Sequence, residues 1–211
     1  MQIKISETSC PLGKPIPVQI TFENGTESAV TRDNPAKSLA VEMHLVDLRT
    51  REDLSYTMGK TTTTLFQGGQ DRYAINVPPP ESMEIAPGSA VVFTSDPNER
   101  LYLRPGKFDA YLTDAAGSSN HVELTIEFTR ESVELLFELV QDERKEYSRR
   151  EWAMDWLAKL QGDFRLKLPA PGGPSTPTDK AHNELAYARF SRWWIQNKKT
   201  PHLDEILKQA R

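Results

Sequence analysis

The residues able to do chemistry are few and scattered. The chain carries four histidines, His44, His121, His182 and His202, and one cysteine, Cys10. No histidine stands four residues from another, and none has a cysteine at zinc-ligand spacing, so no metal site is expected. A nucleophilic thiol needs a base beside it and something to lower its pKa. Cys10 has neither in its local sequence, and burial is its expected role. His44 falls on the strand face opposite Val41, Met43 and Leu45, which points it to solvent rather than to a metal. The carboxylates Glu42, Asp47, Asp109 and Asp114 sit on strands or loop ends. A glycosidase needs two of them at a set separation in a cleft, and an acidic surface explains them with fewer demands. No G-x-S-x-G, P-loop or G-x-G-x-x-G run occurs, and Gly68-Gly69 and Gly172-Gly173 lack the strand and helix that phosphate loops require. The chain therefore reads as non-enzymatic, with no catalytic residue and no cofactor.

What stands out instead is aromatic and cationic. All four tryptophans, Trp152, Trp156, Trp193 and Trp194, fall in the last third of the chain, beside Arg149, Arg150, Arg189 and Arg192. Trp152 and Trp156 are one helical turn apart. Adjacent Trp193 and Trp194 diverge by about 100° on a helix, so the two differ in burial. Large rings help short helices bury enough area to stay folded, each covering roughly 150–250 Å². Tryptophan and arginine also dominate the centres of protein interfaces. Trp152, Trp193, Trp194, Arg149 and Arg192 are accordingly the candidate partner-binding residues.

The elements that position these groups change character near Arg130. Before it, apolar residues alternate: Ile3 and Ile5; Val18, Ile20 and Phe22; Val41, Met43 and Leu45; Phe108, Ala110 and Leu112; Val122, Leu124, Ile126 and Phe128. That period belongs to half-buried strands. Val91 to Phe93 and Leu101 to Arg104 read as further short strands, and Arg72 to Val77 as an edge strand. Turns are expected at Leu12 to Pro17, at Asn24-Gly25, at Gln67 to Gln70, at Pro78 to Pro80 and at Pro87-Gly88, with a hairpin loop over Asp114 to Asn120. Asn24-Gly25-Thr26 matches the glycosylation sequon, but a hairpin turn accounts for it. Residues 49–88 are the least legible stretch.

After Arg130 the spacing becomes three and four. Val133, Leu136, Phe137 and Val140 form one helical stripe; Ala153, Trp156, Leu157 and Leu160 form a second, ending at an expected glycine cap, Gly162. Pro169 to Ser175 has the composition of a linker. Thr176-Pro177 and Thr200-Pro201 each start a helix, with threonine as cap and proline in the first turn. Helices are expected over about 132–142, 146–161, 177–198 and 201–209.

At 211 residues, with 37% hydrophobic and 27% charged content, the chain can build a core without disulfides. Its net charge of −4 argues against a nucleic-acid partner. Residues 1–130 hold 12 basic and 17 acidic groups, and residues 131–211 hold 14 and 13. No apolar run approaches the length of a membrane span. No apolar leader precedes the first strand, so the chain is expected to be cytoplasmic, or the mature form of an exported protein.

Seven or so strands with turns every ten residues make the pattern of an antiparallel sandwich. The order resembles bacterial immunoglobulin-like domains, in which a turn like Leu12-Gly13-Lys14-Pro15 precedes a strand ending like Phe22-Glu23-Asn24. A later corner like Leu103-Arg104-Pro105-Gly106-Lys107-Phe108 opens the penultimate strand. The resemblance covers residues 1–130, implies no activity, and lacks the Cys-Trp-Cys core of antibody domains. The expected architecture is thus an all-β, immunoglobulin-like sandwich at 1–130 and a small α-helical domain at 131–211. The expected function is a non-catalytic protein-binding or structural module. An inhibitor or chaperone-like regulator acting through a sandwich loop within 49–70, or through a sheet edge, is the alternative, and an enzyme of unrecognised type is the third reading.

Overall fold

A computed structural model of the chain describes residues 1–34, 41–57, 62–65, 73–76, 82–168 and 176–209, with 62–65 and 73–76 as backbone alone. The turns expected at 67–70 and 78–80 and the linker at 169–175 lie outside the described residues. The chain divides into two compact units. The first comprises residues 1–8, 15–101 and 107–125; the second comprises 9–14, 102–106 and 126–211. Two short early segments therefore belong with the helices, which a linear reading places in one block from 131.

The first unit is built from antiparallel strands. β1 (Gln2–Ile5) and β10 (Ala90–Ser95) flank β3 (Val18–Glu23) in one sheet. Val18, Ile20 and Phe22 are buried while Gln19 and Glu23 are exposed and Thr21 is half-buried, as a period of two demands. The register sets Ile3 opposite Ile20 and Ile5 opposite Val18, so branched side chains pair on the buried face. A second sheet runs β13 (Val122–Glu127), β11 (Gly106–Asp114), β5 (Glu42–Asp47), β6 (Asp53–Thr57), with β12 (Gly117–Ser118) folding back on β11. Met43 lies opposite Leu112 and Leu45 opposite Ala110, all buried. β4 (Val30–Asp33) pairs with β9 (Ser82–Ile85), and β7 (Thr62–Leu65) with β8 (Tyr73–Asn76). One helical turn, α1 (Pro97–Arg100), is capped by Asp96, whose carboxylate also accepts from Ile16 N–H at 3.0 Å.

β13 passes from the first unit into the second, and β2 (Ser9–Pro11) runs beside it. Thr125 N–H donates to Thr8 O at 2.7 Å, and Leu12 N–H donates to Glu127 O at 2.8 Å. Both segments advance in the same direction, which is parallel pairing. The sheet is therefore mixed.

Several expectations are corrected. Asn24-Gly25 is a turn but not a hairpin, since β3 pairs with β1 and β10, and β4 pairs with β9. The Asn24 side chain makes the turn itself. Its Nδ2 donates to Ser28 O and Ile85 O, both at 2.8 Å, and its Oδ1 accepts from Thr26 N–H and Thr26 Oγ1. Leu101 to Arg104 is not a strand. Leu101 N–H instead closes α1 onto Pro97 O, and Pro105 follows with no donor for a ladder. His44 is on the predicted face but is only 13% exposed, because Tyr111 stacks over it at 4.8 Å and Asp53 holds its Nδ1 at 2.8 Å.

The second unit follows its periodicity closely: α2 (Arg130–Gln141), α3 (Tyr147–Leu160), α4 (Pro177–Asn197) and α5 (Pro201–Gln209). Thr129 with Ser132, and Thr176 with Asp179, form reciprocal caps that satisfy first-turn N–H groups. Buried Arg150 donates from Nε to Val140 O at 2.9 Å, placing a cation at the C-terminal end of α2. Gly162 is not a left-handed cap. α3 closes on Gln161, in extended conformation, whose N–H donates to Leu157 O. Phe164 and Leu166, just beyond, return to the core. Gly13 does need its freedom: its φ is +92°, and a side chain there meets Leu135 and Leu136 at 3.5 Å.

The turn between α2 and α3 is fixed by Asp142, which accepts from Arg144 Nε, Nη2 and N–H at 2.8, 3.0 and 3.1 Å. The Arg144 guanidinium holds the Asp142 carboxyl down to about 2. A depressed carboxyl stabilises the folded turn above its unfolded pKa, and the contribution is lost as pH falls through about 2. In a side-chain carboxyl NMR titration, Asp142 should show a midpoint near 2 that returns to the ordinary range in Arg144→Gln. Asn24→Ala should cost about 2–3 kcal/mol in urea unfolding, because two carbonyls lose their donors together; a change under about 0.5 kcal/mol would place Asn24 outside the stabilising network.

Candidate functional site

Within the second unit, α4 must serve two faces. Phe190 and Trp194 are buried along one side, and Tyr187 is half-buried there. Phe190 packs on Phe137 and on Phe164 at 4.8 Å each, while Phe137 meets Tyr187 edge-on at 5.9 Å. This aromatic cluster fixes the rotation of α4 about its axis. The adjoining stripe, residues 182, 185, 189, 192, 193 and 196, is thereby turned toward the segment that follows α3. The two surfaces enclose an open groove of about 300 Å³, lined by Gln161, Arg165, His182, Arg189, Arg192 and Trp193.

The wall opposite α4 is pinned. The buried Asn183 amide accepts from Lys167 N–H at 2.8 Å and donates to Lys167 O at 3.0 Å, pairing with backbone as a strand would. His182 Nε2 lies 3.2 Å from Arg165 O, and Leu166 N–H contacts Met154 Sδ at 3.1 Å. Phe164, buried at the groove base, is held in the aromatic cluster.

The groove is cationic. Among the described residues, Arg165, Arg189 and Arg192 form no ion pair within 4.0 Å. Arg165 donates only to Phe164 O, at 2.9 Å. Residues 161–200 hold seven basic groups against three acidic ones. Beside these charges Leu185 is 62% exposed, and half-buried Trp193 packs one side against Phe190 at 5.5 Å. Gln161 Oε1 is a buried acceptor with no hydrogen-bond partner among the described residues.

The candidate binding residues do not gather in one place. Trp193 and Arg192 line the groove. Trp194 is 9% exposed, and its Nε1 lies 3.3 Å from Glu134 Oε1. Trp152 is half-buried and donates to Leu103 O at 3.2 Å; Arg149 lies 5.6 Å from its ring and from that of Tyr102. Of the wider arginine set, Arg189 joins Arg192, whereas Arg150 is buried at the end of α2. Arg165 and Leu185 have no part in the sequence reading, and His182 enters it only as a histidine without a metal-ligand partner. The i, i+3, i+7, i+10 run of His182, Leu185, Arg189 and Arg192 is the signal that marks their face.

A second cluster, in the first unit, has the outline of a hydrolytic triad: Asp53 Oδ2 is 2.8 Å from His44 Nδ1, and His44 Nε2 is 3.0 Å from Thr113 Oγ1. Thr113 is paired on both sides, opposite Glu42 of β5 and Ser118 of β12. A sheet face of this kind aims no backbone N–H at a developing oxyanion, and acyl transfer depends on such donors. Tyr111 stacks between His44 and His121, at 4.8 and 4.4 Å, and Asp109 holds His121 Nδ1 at 2.8 Å. The array is a cross-strand ladder. Among the described residues, no group of three or more His, Cys, Asp or Glu side chains could hold a metal ion, and no helix is long and apolar enough to cross a membrane.

No protein-family model matches the chain, and no curated protein matches it. Among solved structures it is similar to a β-glucosidase from Listeria innocua, at 15% identity and TM-score 0.32, over 59% of this chain and 16% of that one. A β-glucosidase from Erythrobacter marinus matches at 13% identity and TM-score 0.33, over 60% and 15%. An alkylpurine DNA glycosylase from Pseudomonas fluorescens, bound to DNA containing an abasic-site analogue, matches at 10% identity and TM-score 0.33, over 59% and 30%. The chain thus spans less than a third of the length of each.

The Asn183 clamp sets the width of the groove. Asn183→Ala should leave the Lys167 N–H without its acceptor, speeding its hydrogen exchange by about tenfold or more, with roughly 1–3 kcal/mol lost overall. Unchanged exchange at Lys167 would show that the segment is held by other contacts.

Proposed function

We propose that the chain is a non-catalytic protein-binding module that recognises its partner through the α4 groove, with the strand-built first unit as scaffold. The observation that carries this reading is a groove where three arginines, Arg189 and Arg192 on α4 and Arg165 on the facing segment, have no carboxylate partner among the described residues and stand beside a half-buried tryptophan and an exposed leucine. Arginine and tryptophan are the residues that interfaces use as anchors, and exposed apolar surface beside them marks an interaction site. Trp193 and Arg192 act as contacts; Trp152, Trp194 and Arg149 hold the helices that present them.

We further infer that the first unit is an immunoglobulin-like sandwich. Each of its two larger sheets buries one face of alternating apolar residues. The alternative of an inhibitor acting through a loop within 49–70 gains no support, since 58–61 and 66–70 lie outside the described residues.

The test is affinity capture with the wild type and an Arg192→Ala, Trp193→Ala variant whose folding is checked by circular dichroism. A discrete partner should be retained by the wild type and reduced about tenfold or more in the variant. Equal capture by both would move binding off the groove.

A further inference from the structure

Resting on that reading of the groove, we infer that its occupant is a short acidic segment of a partner protein: carboxylate side chains flanking one apolar or aromatic residue. Arg165, Arg189 and Arg192 supply planar donors that match carboxylates in paired geometry, and no carboxylate within the second unit's described residues occupies them. Among the described residues, Asp163 is the only acidic side chain lining the groove. The apolar member is called for by Leu185 and by Trp193, whose ring packs on Phe190 and neighbours Trp194 at 6.3 Å yet stays only half-buried. Gln161 and Gln196 line the same groove. A peptide brings backbone N–H donors to such amides, whereas a bare anion brings none.

Charge distribution separates this occupant from nucleic acid. Residues 161–200 hold seven basic groups against three acidic ones, inside a chain of net charge −4. A polyanion binder gains from phosphates neutralised along an extended track, and the net negative charge of the chain opposes one. A short acidic motif needs only the groove. At about 300 Å³ the groove is of a size for a few side chains rather than a strand of bases.

The experiment is a fluorescence-anisotropy titration of the full chain with a fluorescein-labelled peptide, Glu-Asp-Glu-Phe-Glu-Asp-Glu. Its amide isostere, Gln-Asn-Gln-Phe-Gln-Asn-Gln, and a decamer of thymidylate serve as competing probes. The acidic peptide should bind saturably and lose affinity as salt rises. The isostere should bind about tenfold or more weakly, and the oligonucleotide should bind more weakly than the acidic peptide. Arg189→Glu with Arg192→Glu should abolish binding. Lys4→Glu with Arg49→Glu, which makes the same charge change in the first unit, should leave it intact. If charge reversal disturbs folding, Arg189→Gln with Arg192→Gln carries the test, with a loss of about tenfold expected. The inference is overturned if the acidic peptide fails to bind at millimolar concentration, if the isostere or the oligonucleotide binds as tightly, or if the groove variants bind as the wild type does. Should the captured partner depend on the groove while the acidic peptide does not displace it, the binding module stands and only this ligand class falls.

Discussion

Phe190 is the residue on which the second unit turns. It stands midway along α4, fully buried, and three rings meet it: Phe137 from α2, Phe164 from the segment after α3, and Trp193 from its own helix. An aromatic side chain cannot rotate into a new packing without vacating a volume that close-packed neighbours define. With Phe190 seated, the azimuth of α4 is settled to within a few degrees of freedom, and so is the direction in which Arg189 and Arg192 point. The cationic face follows from the apolar one.

The first unit reaches definition by another route. Its strands bury branched and aromatic side chains in alternation, but its irregular parts are held by side-chain amides that stand in for backbone. Asn24 binds the carbonyls of Ser28 and Ile85; Asn120 accepts from Ile3 N–H at 2.8 Å and donates to Ile3 O at 3.0 Å. In the second unit Asn183 does the same with Lys167. An asparagine used twice over in this way satisfies a backbone donor and acceptor that no neighbouring strand reaches. Three such contacts, each between segments far apart in sequence or across a loop, hold backbone where the strand ladders do not.

Periodicity made the helices legible. Stripes such as Val133, Leu136 and Val140 state which face is buried, and threonine followed by proline at Thr176-Pro177 and Thr200-Pro201 states where a helix begins; α5 falls on the expected residues. The same logic failed where contact is made by polar atoms or by chain reversal. Nothing in the letters of Asn24-Gly25 distinguishes a hairpin from an asparagine that folds back on its own loop. Leu101 to Leu103 alternate like a strand, yet the hydrogen bond from Leu101 closes a helical turn. Trp193 was visible in the sequence as a candidate contact. Arg165 was not, because it joins the groove only after the chain has reversed beyond α3 and been clamped by Asn183, a tertiary event with no local signature.

The environment of Asn24 bears on how this molecule ages. An asparagine before glycine is the dipeptide most prone to spontaneous deamidation, since the glycine nitrogen can close on the side-chain carbonyl carbon to expel ammonia. That closure requires the amide to swing free. Here both of its hydrogens and its oxygen are engaged and the side chain is buried. The reaction must wait for the loop to open, so slow conversion of Asn24 to aspartate and isoaspartate becomes a clock that counts excursions of this corner out of the native state.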